Sequence, residues 1–117
     1  REIERAINNG DECAILGMST YCYRIKKYIG SYAAALGGVD LLVFTGGVGE
    51  NQAIMRKAAC EGLEFMGIEL DEELNNAAHG REMVISKPSS KAKVVIVPTD
   101  EELTIARDTV AILNQVK

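Results

Sequence analysis

A cluster of glycines follows an apolar run near the middle of the chain. Gly46, Gly47 and Gly49 come directly after residues 41–45. Glycines allow the backbone to approach a ligand closely, and a helix beginning after such a loop offers free N–H groups to a phosphate. However, no Gly-Lys-Ser/Thr follows, and Gln52 stands where a dinucleotide-binding motif has its third glycine. A nucleotide-binding loop and a tight strand-to-helix turn therefore both remain open.

Acidic residues cluster in a second turn, after the last apolar run of the chain. Thr99 and Glu102 have the spacing of a capping box, which leaves Asp100 and Glu101 without a structural role. Such carboxylates often only face the helix dipole, but a Mg²⁺ ion bound with phosphates needs just one or two of them. Glu101 is the first candidate for a metal ligand. Glu50 is either a polar ligand at the glycine loop or a first-turn acid.

Other reactive residue types give no pattern that supports chemistry. Cys13, Cys22 and Cys60 lack CxxC spacing, and with the single His79 they cannot form a zinc site. We expect reduced, buried thiols. His79 precedes Gly80 at an expected helix end, where a surface position is typical, and no Ser-His-Asp arrangement is indicated.

Composition predicts one globular domain over residues 1–117. The chain is 47% hydrophobic and 26% charged, and a compact domain of this length has a radius of gyration of about 13 Å. The net charge is −4 with scattered cations, which argues against nucleic acid and anionic membranes as partners. No apolar stretch approaches a membrane span of about 20 residues, and no signal peptide is recognisable. We expect a cytoplasmic protein.

The first long element is a predicted helix over residues 11–36. Its apolar residues recur every three or four positions, Asp11 is a plausible N-cap, and Gly37 ends it. Tyrosines widen this apolar stripe, and we expect them to be packing residues. They are Tyr21, Tyr28 and Tyr32.

The later elements alternate between strands and helices, which predicts an α/β fold. Residues 41–45 are continuously apolar, as expected of a central strand covered on both faces. Asn51 is a candidate cap of the following helix, which should end near Gly62. If this strand and the strand at 92–97 run in the same direction, their following loops lie at one edge of the sheet, where ligands bind in open α/β folds.

The remaining pattern predicts a short helix, a hairpin and a final helix. The short helix begins at the acidic residues 71–73 and ends near Gly80, and the hairpin joins residues 82–86 to 92–97. The last helix carries one apolar face. Its residues are Leu103, Ala106, Val110 and Leu113.

The sequence FTGGVGEN over residues 44–51 resembles the FTAGIGEN loop of acetate kinases. The similarity continues through residues 60–65 and 67–70 and extends upstream through residues 23–30 and 32–40. It also covers VPTDEEL at 97–103 with IARDT at 105–109. Gly46 replaces the usual Ala of the family, and Asp100 replaces its usual Asn. The resemblance spans nearly the whole chain in the family's order.

The resemblance implies a mixed sheet with flanking helices, part of the C-terminal ribonuclease-H-like domain of the superfamily of acetate and sugar kinases, Hsc70 and actin. It implies transfer of the ATP γ-phosphoryl group to acetate, giving acetyl phosphate, in a homodimeric enzyme. The residues matching the family's nucleotide site are Gly47, Val48, Gly49, Glu50 and Asn51. Glu101 matches the Mg²⁺ ligand.

Family members are much longer, so the resemblance implies that this chain is a C-terminal fragment. The family's two active-site arginines have no counterpart in this chain, nor do the Asp and the His that act on acetate and the phosphoryl group. Phosphoryl transfer depends on cationic groups such as the arginines. We therefore expect no activity from the chain alone. The alternatives are a fragment of a propionate or butyrate kinase, a folding and dimerisation module without activity and, more distantly, a dinucleotide-binding domain.

Overall fold

The computed structural model describes residues 2–116, which form six helices around a small mixed sheet. The predicted α/β class, a mixed sheet with flanking helices, is confirmed. In chain order the elements are α1 (Glu2–Asn8), α2 (Glu12–Leu36), β1 (Leu41–Phe44), α3 (Gly46–Asn51), α4 (Ala53–Cys60), a 3₁₀ turn (Glu64–Met66), α5 (Glu72–Ala77), β2 (Met83–Val84), β3 (Lys93–Ile96) and α6 (Glu101–Val116).

The ends of α2 follow the capping signals in the sequence. The Asp11 side chain accepts a hydrogen bond from the Ala14 N–H at 2.9 Å. Gly37 ends the helix with a φ of 77°, a left-handed conformation that only glycine adopts without strain. The prediction of a helix over residues 11–36 is therefore confirmed.

The sheet has the strand order β1-β3-β2, with β1 and β3 parallel and β2 antiparallel to β3. The predicted hairpin is confirmed, with shorter strands. The prediction that β1 is a central strand was wrong, because β3 is the middle strand. The expectation that this strand is covered on both faces was also wrong, because the alternate residues Leu41 and Val43 lie on one face of the sheet and are exposed there, whereas Phe44 on the other face is buried.

The core lies between the sheet, α2 and α4. Fully shielded apolar side chains from β3 pack there with residues of α4 and of the segments that flank the sheet. They include Ala59, Ile68, Ile85, Val94 and Ile96.

Helix α6 and the tyrosine side chains of α2 lie outside this core. Helix α6 has no buried residue. The side chains of Tyr21, Tyr28 and Tyr32 are about half to two thirds exposed, so within residues 2–116 these tyrosines do not pack into the core as expected. The Cα radius of gyration is 17.2 Å, larger than the expected value of about 13 Å. That expectation was wrong because the apolar face of α6 contributes nothing to the core.

No helix among residues 2–116 combines the length and apolar character that crossing a membrane requires. The cysteines there are unpaired, and Cys22 and Cys60 are buried as expected, whereas Cys13 is exposed. Burial raises the pKa of the Cys60 thiol to about 12, so it stays neutral.

Candidate functional site

Parallel pairing of β1 and β3 brings the two candidate loops to the same edge of the sheet. Phe44 is paired with Ile96 at the ends of the strands, and the Val97 N–H donates to the Phe44 carbonyl at 2.9 Å. The expectation that both loops meet at one edge is confirmed. The turn after β1 therefore lies beside the turn that begins α6.

A cavity of about 590 Å³ lies between these two turns. We call it the loop cavity. Its walls come from α3, from the segment after α5 and from the turn into α6, so residues about fifty positions apart in the chain share it. The lining residues are Gly47, Glu50, Gly80, Pro98, Thr99, Asp100, Glu101 and Glu102.

The glycines after β1 are helical, which the sequence did not indicate. Gly47 and Gly49 lie within the six-residue helix α3, and Gly46 begins this helix with a left-handed φ of 72°. This left-handed conformation would strain an alanine, so the glycine at this position suits the observed turn. Gly49 is buried against β1, where an added Cβ would lie 3.2 Å from the Phe44 carbonyl carbon.

Asn51 does not cap the next helix, so that expectation was wrong. It occupies the last position of α3, and its side-chain amide donates to the Gly47 carbonyl at 3.0 Å. Helix α4 begins after Gln52, which makes no side-chain capping bond. The amide of Asn51 instead stabilises the short helix that carries the glycines.

Glu50 joins the two turns directly. Its Oε1 accepts hydrogen bonds from the Thr99 N–H at 2.9 Å and from the Thr99 hydroxyl at 3.1 Å. The Gly80 N–H also donates to the Glu50 carbonyl at 3.4 Å. Glu50 thus connects three segments of the cavity wall, a role that the sequence analysis did not foresee.

Asp100 caps α6 with its side chain, which accepts from the Leu103 N–H at 2.8 Å. The predicted capping box of Thr99 and Glu102 was wrong, because Thr99 bonds to Glu50 instead. Asp100 therefore has a structural role. Glu101 and Glu102 are exposed in the first turn of α6 and line the cavity.

The candidate nucleotide residues divide between two sides of α3. Gly47 and Glu50 line the loop cavity together with Glu101. Val48 and Gly49 instead line an apolar groove of about 420 Å³ between α2 and β1.

The side chains of the loop cavity could hold an oxygen-liganded cation only if a bound ligand supplied further oxygen atoms. Among residues 2–116, no three His, Cys, Asp or Glu side chains converge as a metal-binding set. An exposed carboxylate such as Glu101 provides the hard oxygen donor that Mg²⁺ prefers, and phosphate oxygens and water would complete its coordination.

Arg56 on α4 is a buried residue behind this site that sequence reasoning missed. It is fully shielded from solvent and donates to the Gly49 carbonyl at 2.8 Å. Burial lowers the pKa of its guanidinium group. Its position was indicated by the helix periodicity, since Arg56 shares a face with Ala59 and Cys60, which are also buried.

Comparisons with known proteins agree with this architecture. The model of the acetokinase family matches residues 1–107. The acetate kinase of Porphyromonas gingivalis is 63% identical over 114 residues, and that of Bacteroides fragilis is 60% identical over 115. These alignments cover 97% and 98% of this chain but 29% of each relative, so the chain spans less than a third of their length.

Solved structures give the same relationship. The crystal structure of P. gingivalis acetate kinase has a TM-score of 0.86 at 63% identity, covering 97% of this chain and 28% of that one. Acetate kinase from Entamoeba histolytica has a TM-score of 0.85 at 35% identity, covering 97% and 30%. A propionate kinase from Francisella tularensis has a TM-score of 0.79 at 34% identity, covering 91% and 27%. With its family model, its relatives and its fold in agreement, this chain belongs to the acetokinase family.

Proposed function

We propose that this chain forms the nucleotide and metal side of an acetate kinase active site, as a single C-terminal unit of a longer enzyme. That enzyme would transfer the γ-phosphoryl group of ATP to acetate. The observation that carries the proposal is the loop cavity, which joins α3 to the first turn of α6.

In this proposal ATP binds in the loop cavity against Gly47 and Glu50 of α3, and Glu101 holds Mg²⁺. Val48, Gly49 and Asn51 complete the same short helix. The bound Mg²⁺ would neutralise phosphate charge during transfer. Glu50 and Asn51 would keep the backbone of α3 in place through their hydrogen bonds to Thr99 and Gly47. The proposed ATP-site residues are Gly47, Val48, Gly49, Glu50 and Asn51.

The chain alone should not catalyse the reaction. Transfer needs cationic groups on the moving phosphoryl group, whereas the residues lining the loop cavity include four acids and neither Lys nor Arg. The arginines would come from the remainder of a full-length enzyme. We therefore expect no acetyl phosphate from the isolated chain.

A segment exchange tests this function. Residues 2–116 would replace the corresponding segment of P. gingivalis acetate kinase, to which the chain is 63% identical. We expect the exchanged enzyme to keep at least about a tenth of its kcat, measured as acetyl phosphate trapped with hydroxylamine, and its Glu101→Gln variant to lose most of that. A folded but inactive exchanged enzyme would contradict the proposal, as would activity of the chain alone.

Acetate is the proposed acyl substrate because the named relatives at 60% identity and above are acetate kinases, whereas the propionate kinase is 34% identical. A full-length enzyme carrying this sequence should show its highest kcat/KM with acetate among acetate, propionate and butyrate. A higher value for either longer acid would replace the acetate assignment.

A second candidate function is docking or dimerisation, which the apolar groove between α2 and β1 favours. Its walls include the exposed Tyr28, Tyr32, Leu41 and Val43. Sedimentation at micromolar concentration tests this role, with a dimer expected. Substituting Tyr32→Ser should weaken that dimer, and a chain that stays monomeric would argue against it.

A further inference from the structure

The interior behind α3 contains a charged side chain that no apolar packing argument explains. Arg56 has a relative exposure of 0%, so its guanidinium group cannot touch a ligand in the loop cavity. A buried cation is costly unless its donors are all satisfied. The partners of this group therefore indicate what it is for.

The guanidinium group makes four hydrogen bonds, and each goes to a neutral oxygen. Nε donates to the Asn75 side-chain oxygen at 2.7 Å, and Nη2 donates to the carbonyls of Asn75 and Ala78 at 2.8 and 3.0 Å. Nη1 donates to the Gly49 carbonyl at 2.8 Å. One planar group thus joins α3 to the end of α5.

The Asn75 side chain completes this network. Its amide nitrogen donates to the Ala53 carbonyl at 2.9 Å, so both ends of the amide are used and it is fixed relative to α4. Asn75 is also buried. The guanidinium group therefore lies in a rigid setting, and its direction toward Gly49 is determined.

The two segments that Arg56 joins both continue into the loop cavity. Gly49 lies between Gly47 and Glu50 of the cavity wall, and Ala78 lies two residues before Gly80 of the same wall. Resting on the function proposed above, we infer that Arg56 is a positioning residue, which holds α3 and the segment at Gly80 at the spacing that ATP requires.

The test uses Arg56→Lys in a full-length enzyme carrying this sequence. Lysine keeps the charge but lacks the planar fork that reaches Gly49 and Ala78 together. We expect KM for ATP to rise at least about tenfold while KM for acetate changes less than twofold. Equal KM values for ATP in the variant and the unmodified enzyme would overturn the inference.

Leu63→Ala is the matched control for lost stability. Leu63 is buried in the apolar core and lines no part of the loop cavity, so its truncation should lower the melting temperature without a selective rise in KM for ATP. If Leu63→Ala raised KM for ATP as much as Arg56→Lys does, the effect would reflect stability alone and the inference would be wrong.

A measurement on the unmodified enzyme covers the case in which Arg56→Lys does not fold. Asn75 and Ala78 lie outside the cavity lining, and the Arg56 guanidinium group links their carbonyls to the Gly49 carbonyl of α3, so ATP bound against α3 should also slow hydrogen exchange at residues 75–78. Slower exchange there on addition of ATP is expected, and slowing confined to residues 46–51 would overturn the inference. An unmodified enzyme that binds no ATP would instead refute the proposed function itself.

Discussion

The two walls of the loop cavity are held in place by different means. The wall formed by α3 rests on the protein interior, where Gly49 packs against Phe44 and receives a hydrogen bond from the buried Arg56. The wall formed by the first turn of α6 belongs to a helix without a buried residue, and it is held by the Asp100 cap and the link from Glu50 to Thr99. Changes in the first wall should therefore affect stability more than changes in the second.

The largest expected effect is that of Arg56→Met. Four buried oxygens lose their donor, and a buried acceptor without a partner costs about 1–3 kcal/mol. Urea denaturation should show a loss of about 3 kcal/mol or more. Lys57→Met is the neighbouring control, because the ion pair of Lys57 with Glu72 is exposed and such pairs contribute about 0–1 kcal/mol. Similar losses in the two variants would contradict the role of the network.

A pair of glycine substitutions separates packing from ligand contact within α3. In Gly49→Ala the new Cβ lies 3.2 Å from the Phe44 carbonyl carbon, and such overpacking costs about 1–3 kcal/mol. In Gly47→Ala the new Cβ has no neighbouring atom within 4 Å. Alanine is also more stable than glycine within a helix, by about 0.5–1 kcal/mol. We expect only Gly49→Ala to lower the free energy of unfolding measured with urea.

The same pair of substitutions also separates nucleotide binding from stability, because Gly47→Ala should raise KM for ATP although it does not lower the free energy of unfolding. Gly47 lines the loop cavity, where an added methyl group reduces the space for a ligand. KM for ATP in a full-length enzyme should therefore rise in Gly47→Ala without a loss of stability. An unchanged KM would remove Gly47 from the proposed ATP site.

A smaller, local effect is expected from Asp100→Ala. The substitution removes the acceptor for the Leu103 N–H and should cost about 1 kcal/mol. Because α6 contributes no buried residue, the loss should appear as fraying of its first turn, visible as faster hydrogen exchange at residues 101–104. Asp100→Asn keeps the acceptor and should exchange at nearly the normal rate. Equal exchange in both variants would show that the cap is unimportant.

Local signals were sufficient for much of the fold. The limits of α2 could be predicted because Asp11 and Gly37 act through their own side chain and backbone conformation. The hairpin could be predicted because β-branched runs flank a turn cluster at residues 87–91. The position of β1 could not, since an apolar run alone does not reveal how many strands surround it. An apolar run also does not reveal whether both faces of a sheet are covered, and Leu41 and Val43 are exposed because they lie on the uncovered face.

The candidate site was predictable in outline but not in its supporting contacts. The meeting of the two loops followed from parallel strands, as the adjacent ends of β1 and β3 confirm. The contacts of Glu50 with Thr99 and of Arg56 with Asn75 join residues 49 and 19 positions apart, and no local pattern encodes such pairs. Thr99 and Asp100 were misassigned for this reason, because the partner that diverts Thr99 from capping lies in α3.

The proposal that Glu101 holds Mg²⁺ in the loop cavity can be tested most directly. A Mg²⁺ titration of a full-length enzyme carrying this sequence would compare Glu101→Gln with Glu102→Gln, two neighbouring exposed acids at the same helix start. We expect Glu101→Gln to need at least about tenfold more Mg²⁺ for half-maximal activity, or to be inactive, and Glu102→Gln to change the requirement less than threefold. An unchanged Mg²⁺ requirement in Glu101→Gln would contradict the placement of the metal and with it the proposed role of this wall.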